Sequence, residues 1–294
     1  MPPIETRAGS TVPRRVLGQY LRDLRQQAGL TVKLAASLME WSEPKLWRIE
    51  TGQTALRTHD VQATCTAYGA PPALTRGLTG LATQTRADGW WRAYGGTIPD
   101  DFGIYTALED AACALTAYAP AQVPGLLRTE AYARALFSSP GLGGDEAGRL
   151  VYDCLARRAL LTRARSPLML AVALDQALAR RPVGGPAVMA GQLRFLADMA
   201  AQPNVCLRVV PDAAGLHPGL GTGAFTLLHF PPSNRASDTG TAIVYASGLT
   251  GELYLDKPHE VQQYRDAHAA ILARALDETA TQDMLLAAAK DLER

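Results

Sequence analysis

Glu43, Pro44, Trp47 and Arg48 are spaced to share the outer face of one short helix, with Lys45 on its flank. An arginine on such a face donates two parallel hydrogen bonds to guanine O6 and N7, and a glutamate accepts one from a cytosine amine. Thr31 and Lys33 before the helix, Ser42 at its start and Arg57 beyond it are residue types that hold phosphate oxygens. Singly, each of these side chains reads equally well as a solvated polar group. Their value as a set depends on the elements that position them.

Those elements lie in residues 31–52, TVKLAASLMEWSEPKLWRIETG. Thr31 is a good N-cap for a first short helix, with Leu34, Ala35 and Leu38 as its inner stripe. Ser42 caps a second helix that buries Leu46 and Ile49, and Gly52 stands where a left-handed residue ends it. Glu50 is expected to pair with a basic side chain such as Arg25. Two short helices separated by residues 39–41 make a helix-turn-helix, whose second helix is shaped for a major groove. Sequence-specific binding to double-stranded DNA is therefore the expectation.

The rest of the chain divides around this motif. Val16, Leu17, Tyr20, Leu21 and Leu24 repeat at helical spacing, Val61, Cys65 and Tyr68 mark a helix over 58–68, and another covers 72–86. The predicted organisation is a disordered arm at 1–13, an all-α domain of five helices at 14–86 and a larger α/β domain at 87–294. In the larger domain, helical patterns fall at 104–118, 128–137 and 145–165. A buried strand at 168–174, an amphipathic helix at 186–202 and an alternating strand at 205–210 form a strand–helix–strand unit, for which a parallel crossover is favoured. Strands at 224–230, 241–245 and 252–255 and a helix at 258–276 complete a mixed sheet flanked by helices.

The 294 residues are 47% hydrophobic, enough for two cores, and the net charge is +1. That near-neutrality hides a split: residues 1–86 hold 11 Lys/Arg against 6 Asp/Glu, a net of +5, and the remainder carries −4. A basic end beside an acidic body suits a DNA-facing module whose partner domain is kept off the phosphates. Ordinary variation in surface charge is the alternative. Cys65, Cys113, Cys154 and Cys206 are too scattered for a zinc site or a disulfide framework and read as buried thiols in a reducing cytosol. Without a signal-peptide core or an apolar run of spanning length, a cytoplasmic protein with no membrane partner is expected.

Chemistry in the second domain has few candidates. His217 sits in a Gly/Pro loop between strands, a position for a catalytic residue or for a cap. Asp175 ends a strand, where α/β ligands bind, and is equally placed to cap the next helix. Glu109 lies near the buried face of a helix, with Arg157 or Arg158 as possible ion-pair partners. Trp90, Trp91 and Tyr94 form an aromatic cluster suited to packing or to a ligand or partner pocket. The chain lacks G-x-S-x-G, a P-loop, H-E-x-x-H and a dinucleotide fingerprint, so no enzyme activity, metal or cofactor is expected.

Residues 42–52, SEPKLWRIETG, resemble the S-x-x-x-I-x-R-I-E-x-G pattern of Xre/Cro-type repressors, the likeness covering about 14–86. Val32 stands where that family often has a phosphate-clamping glutamine, and Pro44 where a base-reading side chain is common. The second domain resembles actinobacterial regulators with a conserved C-terminal domain of unknown function. The likeness is carried by GWWRAY (89–94), ALED (107–110), QVPGLLRTEAYARAL (122–136), RRPVGGPAVMAGQLRFL (180–196), VVPDAAGLHPGL (209–220) and GELYLDKPHEVQQY (251–264). That resemblance implies a toxin–antitoxin-like regulator paired with a small acidic protein. The reading that results is a transcriptional regulator, homodimeric on a palindromic operator, whose C-terminal domain senses a partner protein or a small molecule. The alternative is an antitoxin-like protein whose main role is binding a small cognate partner, with DNA binding for autoregulation.

Overall fold

Capped helical segments dominate the first third of the chain, and the computed structural model describes residues 12–84, 103–138, 143–231, 242–248 and 251–294. The first helices are α1 (Val12–Gln27), α2 (Val32–Leu38), α3 (Glu43–Glu50), α4 (Thr58–Ala67), α5 (Pro72–Gln84) and α6 (Ile104–Ala111). Helix α1 takes in two residues of the expected arm: Val12 is fully buried, and Pro13 stands in the first turn, where its missing N–H costs nothing. Helix α3 ends as its sequence requires. Gly52 has φ +70°, its N–H donates to the Ile49 carbonyl at 2.9 Å, and the Gln53 N–H donates to Arg48 at 2.8 Å.

The inner stripe of α2 is a correction. Ala35 and Ala36 are buried, whereas Leu34 and Leu38 are 58% and 56% exposed. Helix α2 packs on α3, and small side chains permit the close approach that leucines at the same positions would block.

Among the described residues, those from 12 to 111 cluster in one compact unit, with 231, 242–243 and 251–258 counted alongside them; those of 112–230, 244–248 and 259–294 form the second. Helix α6 thus belongs to the first unit, although its place beyond residue 86 grouped it with the second domain. A tie to α1 explains this: the Gln19 amide donates to Asp23 on α1 at 3.1 Å and to Asp110 on α6 at 2.6 Å. Burial, and after it the charge of Asp110, pushes the Asp23 carboxyl up from 3.8 to about 6.

A raised carboxyl favours the fold in its protonated form. The stabilisation is full below the unfolded value of 3.8 and is lost as pH rises through about 6. Asp23→Asn is expected to stabilise the first unit by about 1–2 kcal/mol at pH 7.5, after allowance for the solvent that reaches a half-buried carboxyl. The gain should vanish near pH 4. Thermal melts at both pH values check this, and a pH-independent difference would refute it.

Strands begin beyond residue 112. They are β1 (Ala114–Ala119), β2 (Met169–Asp175), β3 (Val205–Val210), β4 (Phe225–His229), β5 (Ala242–Gly248) and β6 (Gly251–Leu255), in a mixed sheet of order β3-β2-β1-β4-β5-β6 whose strands β1 to β4 count with the second unit. Strands β1, β2 and β3 are mutually parallel, with Ala114 opposite Met169 and Leu170 opposite Val205; β4 runs antiparallel to β1. The helical pattern over 104–118 breaks at residues 112–113, and its second half is β1. An alanine-rich run of six residues carries no decisive period, and hydrogen bonds on both edges select the strand.

Helices α7 (Glu130–Phe137), α8 (Gly144–Arg157), α9 (Ala159–Thr162), α10 (Gln176–Ala179), α11 (Pro186–Ala200), α12 (Gly219–Thr222), α13 (Pro258–Leu272) and α14 (Glu278–Leu292) complete the described fold. Helix α14 was not anticipated. Its cap was legible in Asp277, which accepts from the Ala280 N–H at 2.8 Å, and its buried Thr281, Leu285 and Ala289 repeat every fourth residue. It packs along α11, where the Gln282 amide donates to the Ala197 carbonyl at 3.0 Å. All four cysteines are free, with Cys65 and Cys154 buried.

Candidate nucleic-acid interface

Helix α3 begins at Ser42, whose hydroxyl accepts from the Lys45 N–H at 3.3 Å. Pro44 occupies the first turn, where proline suits a helix. Leu46 and Ile49 are buried, and this leaves Glu43, Pro44, Trp47 and Arg48 exposed on the far side, as their spacing requires. Trp47 is 42% exposed, a large apolar surface on a helix otherwise rimmed with charge. Lys45 turns to the flank, its Nζ 4.4 Å from the centre of the Trp41 ring.

The base under this face is rigid. Arg25 on α1 and Glu50 on α3 form a bidentate pair at 2.6 and 2.9 Å, and the third arm of Arg25 donates to the Leu30 carbonyl at 2.8 Å. Both side chains are over nine-tenths buried. The Glu50 hydrogen bond raises the pKa of Arg25. Tyr68 beside them is pushed up to about 12, first by burial and then by Glu50. The expected pairing of Glu50 with Arg25 is what the structure contains.

The flanking groups take mixed positions. Thr31 caps α2, accepting from the Leu34 N–H at 3.2 Å. Lys33 is exposed, and Arg57 is exposed at the start of α4 without a side-chain capping bond. Among the described residues, Lys33, Glu43, Arg48 and Arg57 have no ion-pair partner. A face that presents such groups is available to phosphates and base edges.

In the second unit, Asp175 and His217 come together at the end of β2. The Asp175 carboxylate accepts from the Ala177 N–H at 2.9 Å, capping α10, and from the Tyr118 hydroxyl at 3.2 Å. The Nε2 of His217 lies 3.9 Å from the same carboxylate, while its Nδ1 accepts from the Gly219 N–H at 3.2 Å. With Nδ1 accepting, Nε2 is the ring nitrogen able to donate, and it is turned to the carboxylate. Tyr118 and His217 are buried, so the cluster presents little to solvent. Burial, reinforced by the Asp175 charge, pushes the Tyr118 phenol above its usual range. Tyr118 gives no signal in the sequence because the pattern over 104–118 reads as one helix.

Residues 102–287 match a family described as a domain of unknown function, DUF5753. The chain belongs to the DUF5753 family. Residues 16–78, which hold the capped pair of helices, match a helix-turn-helix domain, and this supports DNA binding and a part in regulation. No curated protein and no solved structure matches the chain.

The remaining second-domain candidates do not gather into the DUF5753 cluster. Glu109 is buried on α6 and counts with the first unit, whereas Asp175 and His217 count with the second. Arg158, one of its expected partners, donates instead to the Arg128 carbonyl and lies 4.7 Å from the centre of the Phe195 ring. Trp90, Trp91 and Tyr94 precede the DUF5753 match and lie outside the described residues. Among the described residues, no helix is long and apolar enough to cross a membrane and no cluster of His, Cys, Asp or Glu is arranged to hold a metal.

Proposed function

We propose that this DUF5753 protein is an Xre-type, sequence-specific transcriptional regulator, homodimeric on a palindromic operator in the cytoplasm, whose DUF5753 domain receives a signal from a partner protein or a small molecule. The observation that carries it is the α3 face: Trp47 and Arg48 stand exposed on a helix whose opposite side is locked down by Leu46, Ile49 and the Arg25–Glu50 pair. One such head buries little DNA surface, so specific recognition calls for two half-sites about one DNA turn apart. The toxin–antitoxin-like kinship belongs to the same proposal, as does a role without catalysis. Support for the latter comes from Asp175, whose oxygens are engaged in capping α10 and holding Tyr118.

The test is selection of bound sequences from a random duplex pool, followed by titration of the selected site. Arg48→Ala is expected to cost about 1–3 kcal/mol of discrimination, roughly ten- to a hundredfold, against the base it contacts. Salt-sensitive nonspecific binding should persist, since it comes from phosphate contacts. Undiminished sequence preference in the variant would mean that α3 is not the reading helix.

A further inference from the structure

The second unit holds a cavity of about 310 Å³ at the end of β1, bounded by the chain at 120–124, by the start of β4 and by the end of β5. Its volume falls at the small end of the range for drug-sized ligands, about 300–1,000 Å³. The position has a topological reason. Strand β1 has parallel β2 on one side and antiparallel β4 on the other, and the cavity lies off its C-terminal end. Ligands of α/β sheets gather beyond the carboxyl ends of strands, where the connectivity changes. Ala117, Ala119 and Ala246 line it where larger strand residues would fill it, and Phe225 adds an aromatic wall.

One side chain sets the chemistry. Among the described residues that line the cavity, Arg128 alone is charged. Its Nε donates to the Val123 carbonyl at 2.7 Å, which fixes the guanidinium against the wall, and a longer bond of 3.5 Å runs to the Gln122 side chain. Among the described residues, no carboxylate lies within ion-pair distance of it. Burial lowers its pKa, the direction expected of a cation desolvated without a counter-ion. The Phe137 ring centre lies 5.8 Å from the guanidinium carbon, and the partner that best completes a guanidinium held beside an apolar hollow is an anion able to take two of its N–H groups.

We infer that this cavity is a binding site for a small organic anion, a carboxylate-like head on an apolar body, with Arg128 as the residue that selects the charge. As the input of a regulatory signal it rests on the reading in the preceding section; as a binding site it does not.

The experiment uses the full chain and two dyes, 8-anilinonaphthalene-1-sulfonate and neutral N-phenyl-1-naphthylamine, which share one body and differ in the anionic group. The sulfonate is expected to bind at one site per chain, with octanoate displacing it and inorganic phosphate failing to do so. Arg128→Gln should weaken the sulfonate at least about tenfold, a charge-assisted hydrogen bond's worth, and leave the neutral dye within about twofold. Arg128→Lys should retain more sulfonate affinity than the glutamine variant. Ala246→Trp should exclude both dyes.

If Arg128→Gln moves both dyes equally, its role is structural and the inference fails. It fails too if Ala246→Trp leaves the dyes bound, or if phosphate competes as well as octanoate. Neutral-dye binding reports whether the cavity survives the substitutions at Arg128, and a thermal melt of Ala246→Trp that matches the parent shows that this variant is folded. The dye titrations need no DNA, and the operator selection needs no dye, so the two readings fail in separate experiments.

Discussion

Glu50→Gln is expected to destabilise the helix-turn-helix unit by about 3–5 kcal/mol, a large share of the roughly 5–15 kcal/mol that holds a domain together. The substitution keeps the shape of the side chain and removes its charge. Arg25, 7% exposed, is then left as a buried cation beside a neutral amide. The cost comes from that stranded charge rather than from the pair's own worth. Removing both partners, as in Arg25→Met with Glu50→Leu, should therefore recover most of the loss. Urea unfolding followed by amide exchange in residues 12–84 isolates this unit from the rest of the chain, which need not unfold with it. A single variant costing under about 1 kcal/mol would show that water reaches the pair. A double variant as unstable as the single would place the cost in lost packing.

Much of this unit was legible because the information is local. Thr31 and Ser42 cap from their own side chains, and Gly52 adopts the left-handed conformation that its position demands. The exposed Trp47 and Arg48 follow from the burial of Leu46 and Ile49 by helical spacing alone. The stripe of α2 was misread for the opposite reason. In a helix of seven residues, Leu34 and Leu38 compete with Ala35 and Ala36 for the inner face, and only the nearness of a second helix favours the smaller pair. Strand β1 depended on partners at 169–174 and 225–229, which no reading of residues 104–118 contains. Tyr118, Asp175 and His217 meet through that same sheet, and the cavity beside Arg128 exists only once β4 and β5 are in place.

Gly18→Ala should destabilise the same unit to a smaller extent, and it probes the geometry of the reading helix rather than its charge. A Cβ at Gly18 would lie 2.4 Å from the Ile49 carbonyl oxygen and 2.8 Å from that of Glu50. Both contacts are backbone, so no side chain can rotate aside; α1 and α3 must separate. Alanine's better helix propensity returns up to about 1 kcal/mol, and overpacking of this kind costs up to about 3 kcal/mol or more, for an expected net loss of about 2 kcal/mol. The informative comparison is Gly148→Ala on α8, where an added Cβ meets nothing within 4 Å. That change should stabilise by about 0.5–1 kcal/mol. Opposite signs for the same substitution, read by thermal unfolding, would locate the cost in the α1–α3 approach. Separation of these helices also shifts Arg48 relative to Lys33 and Arg57, so operator affinity should fall under conditions where the variant remains folded. Unchanged affinity in a destabilised variant would mean that base and phosphate contacts tolerate a displaced α3, which the rigid Arg25–Glu50 base argues against.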